Sequence, residues 1–331
     1  MVELKSDRLV FNFPEVHPDA HLVVEFQRTL RIPDDDKEYP LPPGLGCFPL
    51  RDVDDHANTV PASWREHGGV MLPMYQSEAA WINFISDYPF AVKIAAGKIN
   101  AATGDAWTND LKADPQDYLS IPTQPWLDGF CVEKGIVRQF VAMPLGAGYS
   151  AEEQITGDGV HGGLQIIVYP LKAKVYEERK NLDPRALEGI MDAVGLEAPM
   201  CSEMGLAPGG RMRQEITEDP ERFQDWDSKH FSRCFVHLAN SLVWRGITGS
   251  NPPTTPPTAE EYTRLGLPWF KYYSDQPTLD ARGLLKKLKS VIQIGAKKGD
   301  VPLPENASVD PANIVTLRKG LREGQVREGQ F

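Results

Sequence analysis

With 331 residues, 41% hydrophobic and 24% charged, the chain has ample material for a buried core, and it contains no apolar run of the roughly 18 residues a membrane span needs. Its 46 acidic against 35 basic residues give a net charge of -11, which argues against nonspecific binding to nucleic acid or anionic lipid. The 28 glycines and 28 prolines point away from a helical bundle and towards mixed, loop-rich architecture.

The opening MVELKSDRLVFNFPEVHPDA has no basic start followed by an apolar core, so no signal peptide is expected. Cys47, Cys131, Cys201 and Cys234 lie far apart without a C-x-x-C pair, which favours free thiols and a cytoplasmic location over disulfides. Leu22 to Phe26 reads as a strand. Ile32 to Leu50 is broken by prolines and glycines, yet Tyr39, Leu41, Leu45, Phe48 and Leu50 imply that it packs down on the domain. Ser77 to Ser86 reads as a short helix with Ser77 as N-cap and Trp81, Phe84 and Ile85 as its buried stripe.

From Phe90 the pattern becomes strand-like, with a turn at Thr103-Gly104-Asp105. A hairpin follows: Phe130 to Val132, a Glu133-Lys134-Gly135 turn, then Ile136 to Met143. Leu164 to Tyr169 is a further strand. Successive hairpins require an antiparallel or mixed sheet. Asp183-Pro184 opens a helix carrying Leu187, Ile190, Met191 and Val194 and stopped by Gly195. Thr258 to Glu261 spells a capping box. Leu284, Leu285, Leu288, Val291 and Ile292 predict a helix stopped at Gly295, with Lys286, Lys287 and Lys289 on its solvated face. The expected fold is α+β: antiparallel or mixed sheets, peripheral helices and long Pro/Gly-rich packed loops. It forms one domain over 1–295, with sub-lobes at about 1–170 and 171–295, and 296–331 is an extension expected to be mobile from about 318.

Candidate chemistry concentrates between 115 and 169. Trp126, Asp128 and Gly129 stand together, and Arg138 and Gln139 interrupt an apolar strand where polar groups are costly unless satisfied. Arg138 and Gln139 should face opposite sides of that strand, and Asp128 should accept backbone hydrogen bonds in its turn. Gly146, Gly148 and Ala151 match G-x-G-x-x-A, but no long crossover helix follows, so a glycine turn is the better reading. Cys234 and His237, like His17 and His21, fall short of a metal-ligand set; no metal and no cofactor are expected. Gly209, Gly210 and Arg211 fit either an anion-binding nest or a loop entering a strand. Trp269 belongs to an aromatic cluster that serves either as core or as a docking surface. The catalytic candidates are therefore Asp128, His161, Arg138 and His237, and the ligand-binding candidates Trp126, Gln139, Gly209, Gly210, Arg211 and Trp269.

The strings QPWLDGF, VRQFVAMPLGAGYSAEEQITG, MGLAPGGRMRQEI, RCFVHLANSLVWRGITG and PPTTPPTAEEYTRLGLPWFKYY, in this order, resemble a family of soluble proteins found in bacteria and some fungi for which no activity is established. The resemblance runs from about Phe26 to Val291 and implies one continuous unit; it carries over no catalytic residue. The expected function is noncatalytic: a binding or assembly protein that uses aromatic- and proline-rich loops, with a protein partner, self-assembly or a small molecule as ligand. The alternative is a hydrolase whose site gathers Trp126, Asp128, Arg138 and His161.

Overall fold

Leu9, Phe11, Leu22 and Val24 alternate with more exposed neighbours, and the strands Arg8–Asn12 and His21–Thr29 pair antiparallel with those four residues facing inward. They begin a nine-stranded sheet in a computed structural model that describes residues 1–35, 37–180, 204–273, 277–280, 283–300, 309, 311 and 314–318. The sheet runs Val2–Lys5, Arg8–Asn12, His21–Thr29, Ala79–Ile85, Ile136–Pro144, Met204–Arg213 and Glu38–Tyr39. Trp126–Leu127 pairs with Ala79–Ile85, and Gly129–Glu133 with Ile136–Pro144.

A seven-stranded sheet runs Leu119–Ile121, Phe90–Ala96, Leu164–Pro170, Ser232–Ala239, Val70–Pro73 and Arg51–Asp52, with Ile99–Asn100 beside Phe90–Ala96. Both sheets are mostly antiparallel, with one parallel pair each, and the helices are short: the fold is α+β with mixed sheets. Strands from either side of residue 170 pair in both sheets, Ile136–Pro144 with Met204–Arg213 and Leu164–Pro170 with Ser232–Ala239. One hydrophobic cluster draws Phe26, Ile82 and Phe140 from the first sheet and Phe90, Ile94 and Ile166 from the second. Leu164–Pro170 is buried on both faces, as its largely apolar run requires, and its one amide, Gln165, donates to Gly97 O at 2.8 Å.

The proline-rich segment does pack down. Where Arg8–Asn12 ends, the free edge of His21–Thr29 is taken up by the Leu45 to Phe48 backbone. Phe48 N–H donates to Phe26 O at 2.7 Å, Arg28 N–H to Gly46 O at 2.8 Å and Leu45 N–H to Arg28 O at 2.7 Å. Beneath the neighbouring face, buried Glu25 accepts from Gln27 Nε2 and Asn83 Nδ2 and pairs with Arg8 at 2.6 Å.

Two expected helices differ. Ser77 to Ser86 holds the strand Ala79–Ile85, because Ile82 and Phe84 alternate inward between partly exposed Trp81, Asn83 and Ile85, and both flanking ladders are filled. The helix-like spacing of Trp81, Phe84 and Ile85 is coincidental. The Leu284 stripe is split into a 3-10 turn, Leu285–Lys287, and a helix, Val291–Lys298, that ends at left-handed Gly299 rather than at Gly295. Ser290 causes the split: its hydroxyl accepts from Gln293 N–H, and Gln293 Oε1 accepts from Ser290 N–H, a capping box that starts the helix there. Ser290→Ala should therefore lower stability by about 1 kcal/mol in urea unfolding, and no change would remove that explanation. The capping boxes at Ser150 and Thr258 form. The helix expected from Asp183, Cys201 and the tail beyond 318 lie outside the described residues. No helix among those described is long and apolar enough to cross a membrane.

Candidate functional site

Trp126 and Asp128 are two residues apart in extended chain, so their side chains leave the backbone on the same face. The indole Nε1–H donates to Asp128 Oδ2 at 2.7 Å. Asp128 N–H donates to Gln214 Oε1 at 2.9 Å, and Asp128 O accepts from Phe140 N–H at 3.0 Å. Asp128 thus takes its hydrogen bond from the indole and not, as the turn pattern suggested, from backbone. Its carboxyl is buried without a cation, and burial pushes its pKa up to about 7, against the opposing pull of the indole N–H.

In front of the half-buried indole lies a cleft of about 610 Å³. Pro125, Leu41, Phe270 and Ile314 give it apolar walls, and Glu38, Arg213, Glu215 and Lys271 supply charge. Two elements close it. The edge strand Glu38–Tyr39 runs parallel to Met204–Arg213, and the two-stranded pair Trp269–Tyr273 and Ile314–Arg318 is tied down where Leu41 and Phe270 exchange N–H···O bonds of 2.8 Å. The amides of Gln124 and Gln214, which also line the cleft, hold the backbone that carries the indole, both donating to Trp126 O. Asp128 does not line this cleft; it stands behind the ring and fixes its orientation.

Of the residues singled out in the sequence, only Trp126 faces this space. Arg138 donates to Gly209 O at 3.0 Å and pairs with Asp34 at 3.3 Å; Gln139, on the other side of the strand, holds the Leu30 and Ile32 backbone. Both are buried, away from the cleft lining, and join the strand to its neighbours, which removes them as ligand groups. Gly209 and Gly210 form no nest: they are extended within Met204–Arg213, and a Cβ at Gly210 would lie 2.4 Å from Pro33 O. Their lack of side chains lets the loop approach. Arg211 is spent on Glu133 and Glu38. Trp269 is core, edge-on to Tyr262 at 5.3 Å, and not a docking surface.

His161 and His237 meet elsewhere, around a cavity of only about 10 Å³. His237 bonds Gly68 O at 2.9 Å and stacks on Trp64 with centroids 4.7 Å apart; its burial lowers the ring's pKa to about 4. The Cys234–His237 spacing falls on a strand, so the two side chains leave on opposite faces. Asp128, Arg138, His161, Arg211 and His237 therefore surround no common pocket. Among the described residues no group of three or more His, Cys, Asp or Glu side chains could hold a metal, and Cys47, Cys131 and Cys234 form no disulfide with one another.

Arg213, Lys271, Gln124 and Gln214 belong to the site and were not among the candidates, whereas Phe270 comes from the aromatic cluster around Trp269. Arg213 follows Arg211 at the two-residue spacing of a strand and could have been read as sharing its face, and the W-x-D spacing could have signalled the indole–carboxyl pair. No family model, no curated protein and no solved structure matches the chain.

Proposed function

We propose that the protein is a noncatalytic binding protein and that its ligand occupies the cleft in front of Trp126. The observation that carries this reading is the placement of Asp128: the acid with the most strongly suggestive environment holds the indole from behind and does not face the cleft. An aromatic platform with a locked orientation favours recognition of a ligand over attack on one. The hydrolase alternative has less support, since Arg138 and His161 lie in separate places and a working acid–base set needs mutual reach in one pocket. The buried free thiols of Cys131 and Cys234 fit a reducing compartment and support a cytoplasmic setting.

A compound library screened by thermal shift tests this, because a ligand of the native state raises the melting temperature by mass action. Hits should stabilise the wild-type chain and lose that effect in Trp126→Ala. Phe270→Ala, on the facing wall, serves if Trp126→Ala does not fold. Hits that stabilise both variants as well as wild type would rule out the cleft as the binding site.

A further inference from the structure

We infer that the ligand is a planar organic anion: an aromatic body lying on Trp126, with its carboxylate, sulfonate or phosphate directed to Arg213 and Lys271. This rests on the binding reading above. A volume of about 610 Å³ suits a body of one to three rings, and Trp126, Phe270, Leu41 and Pro125 offer it flat or apolar contact.

The polar lining narrows the chemistry further. Gln124 Oε1 is occupied by Thr217 N–H at 2.9 Å and its hydroxyl at 3.1 Å, and Gln214 Oε1 by Asp128 N–H. Each Nε2 spends one N–H on Trp126 O, so the amides serve first to brace the floor and the formal charges of the lining are the stronger recognition groups. Glu38 pairs with Arg211 at 3.8 Å. Arg213 and Lys271 have no ion pair with any described residue, nor does Glu215, whose stem lies along Gly135 at the hairpin turn. Because Arg211 is shared between Glu133 and Glu38, the acids and bases around the mouth balance, and Arg213 and Lys271 are the cations left for a ligand. In a protein of net charge -11, a mouth whose charges balance and that keeps two unpaired cations beside an aromatic floor is less acidic than the chain as a whole. A guanidinium and an ammonium at one mouth suit a forked oxyanion, the first by its planar donors and the second as a point charge.

Two probes of matched shape separate the claims: 8-anilinonaphthalene-1-sulfonate and its neutral parent, N-phenyl-1-naphthylamine, titrated into the full chain and followed by probe fluorescence. The sulfonate should bind at least about tenfold more tightly than the amine, by the strength of a charge-assisted contact. The double variant Arg213→Gln/Lys271→Gln should bring the sulfonate down to the amine's affinity and leave the amine unchanged. Glu215→Gln should strengthen the sulfonate alone, and added salt should weaken it alone. Equal affinities in the wild type, or a sulfonate indifferent to the double variant while Trp126→Ala abolishes both probes, would overturn the anion and leave the cleft standing. If neither probe binds, or both ignore Trp126→Ala and Phe270→Ala, the binding reading fails and the anion with it.

Discussion

Gly129→Ala should destabilise the protein by about 3 kcal/mol or more, although it adds a single methyl group. Gly129 faces Gln139 across the hairpin, and a Cβ there would fall 1.9 Å from Arg138 O and 2.6 Å from the same carbonyl carbon. Both atoms are backbone in the middle of a ladder, so no rotamer change relieves the clash. The strands must part, and Asp128, the preceding residue, moves with them. Gly246→Ala is the natural control: it lies in the helix Ser241–Thr248 with nothing within 4 Å of a new Cβ and should be neutral or mildly stabilising. Urea unfolding compares the two, and an unchanged midpoint for Gly129→Ala would mean that the hairpin is not packed as described.

The second large effect is one of pH. Asp128 is raised from 3.8 to about 7 by burial, so between those values the folded chain holds a proton that the unfolded chain has released. The stabilising contribution is full below the unfolded pKa and is lost as pH rises through 7. Asp128→Asn removes the titration. Between pH 5 and pH 8 the wild-type chain should lose about 3 kcal/mol relative to this variant, because each unit of pKa shift is worth about 1.4 kcal/mol. Other acids, buried Glu78 among them, titrate in both proteins and cancel in the difference. A difference that does not vary with pH would place the Asp128 carboxyl in contact with water.

The hairpin at Glu133-Lys134-Gly135 was legible because two short apolar, β-branched- and aromatic-containing runs flank one clear turn within fourteen residues of chain. Ser77 to Ser86 was not, since its apolar residues satisfy both periods and the deciding fact is tertiary: strands stand ready on each side of Ala79–Ile85. The candidate site was half legible. Trp126 announced itself by size. Arg213 and Lys271, in contrast, look like any solvated side chains until Glu38–Tyr39 and Trp269–Tyr273 bring them to one opening, contacts separated by many tens of residues. Arg138 and Gln139 drew attention for a sound reason, the cost of burying polar groups, but the structure meets that cost with loop backbone and an internal acid.

Strand order also bears on the route from ribosome to native state. The nine-stranded sheet is incomplete until the chain has been made to residue 213 and the seven-stranded sheet until residue 239, because Ile136–Pro144 awaits Met204–Arg213 and Leu164–Pro170 awaits Ser232–Ala239. A nascent chain halted near residue 170 displays two long apolar strands, each lacking a neighbour it will later have, with open backbone donors and acceptors along that side. Non-local pairing of this kind closes late and slowly, so the growing polypeptide passes through a stage open to association with its own copies, and shielding by chaperones matters most there.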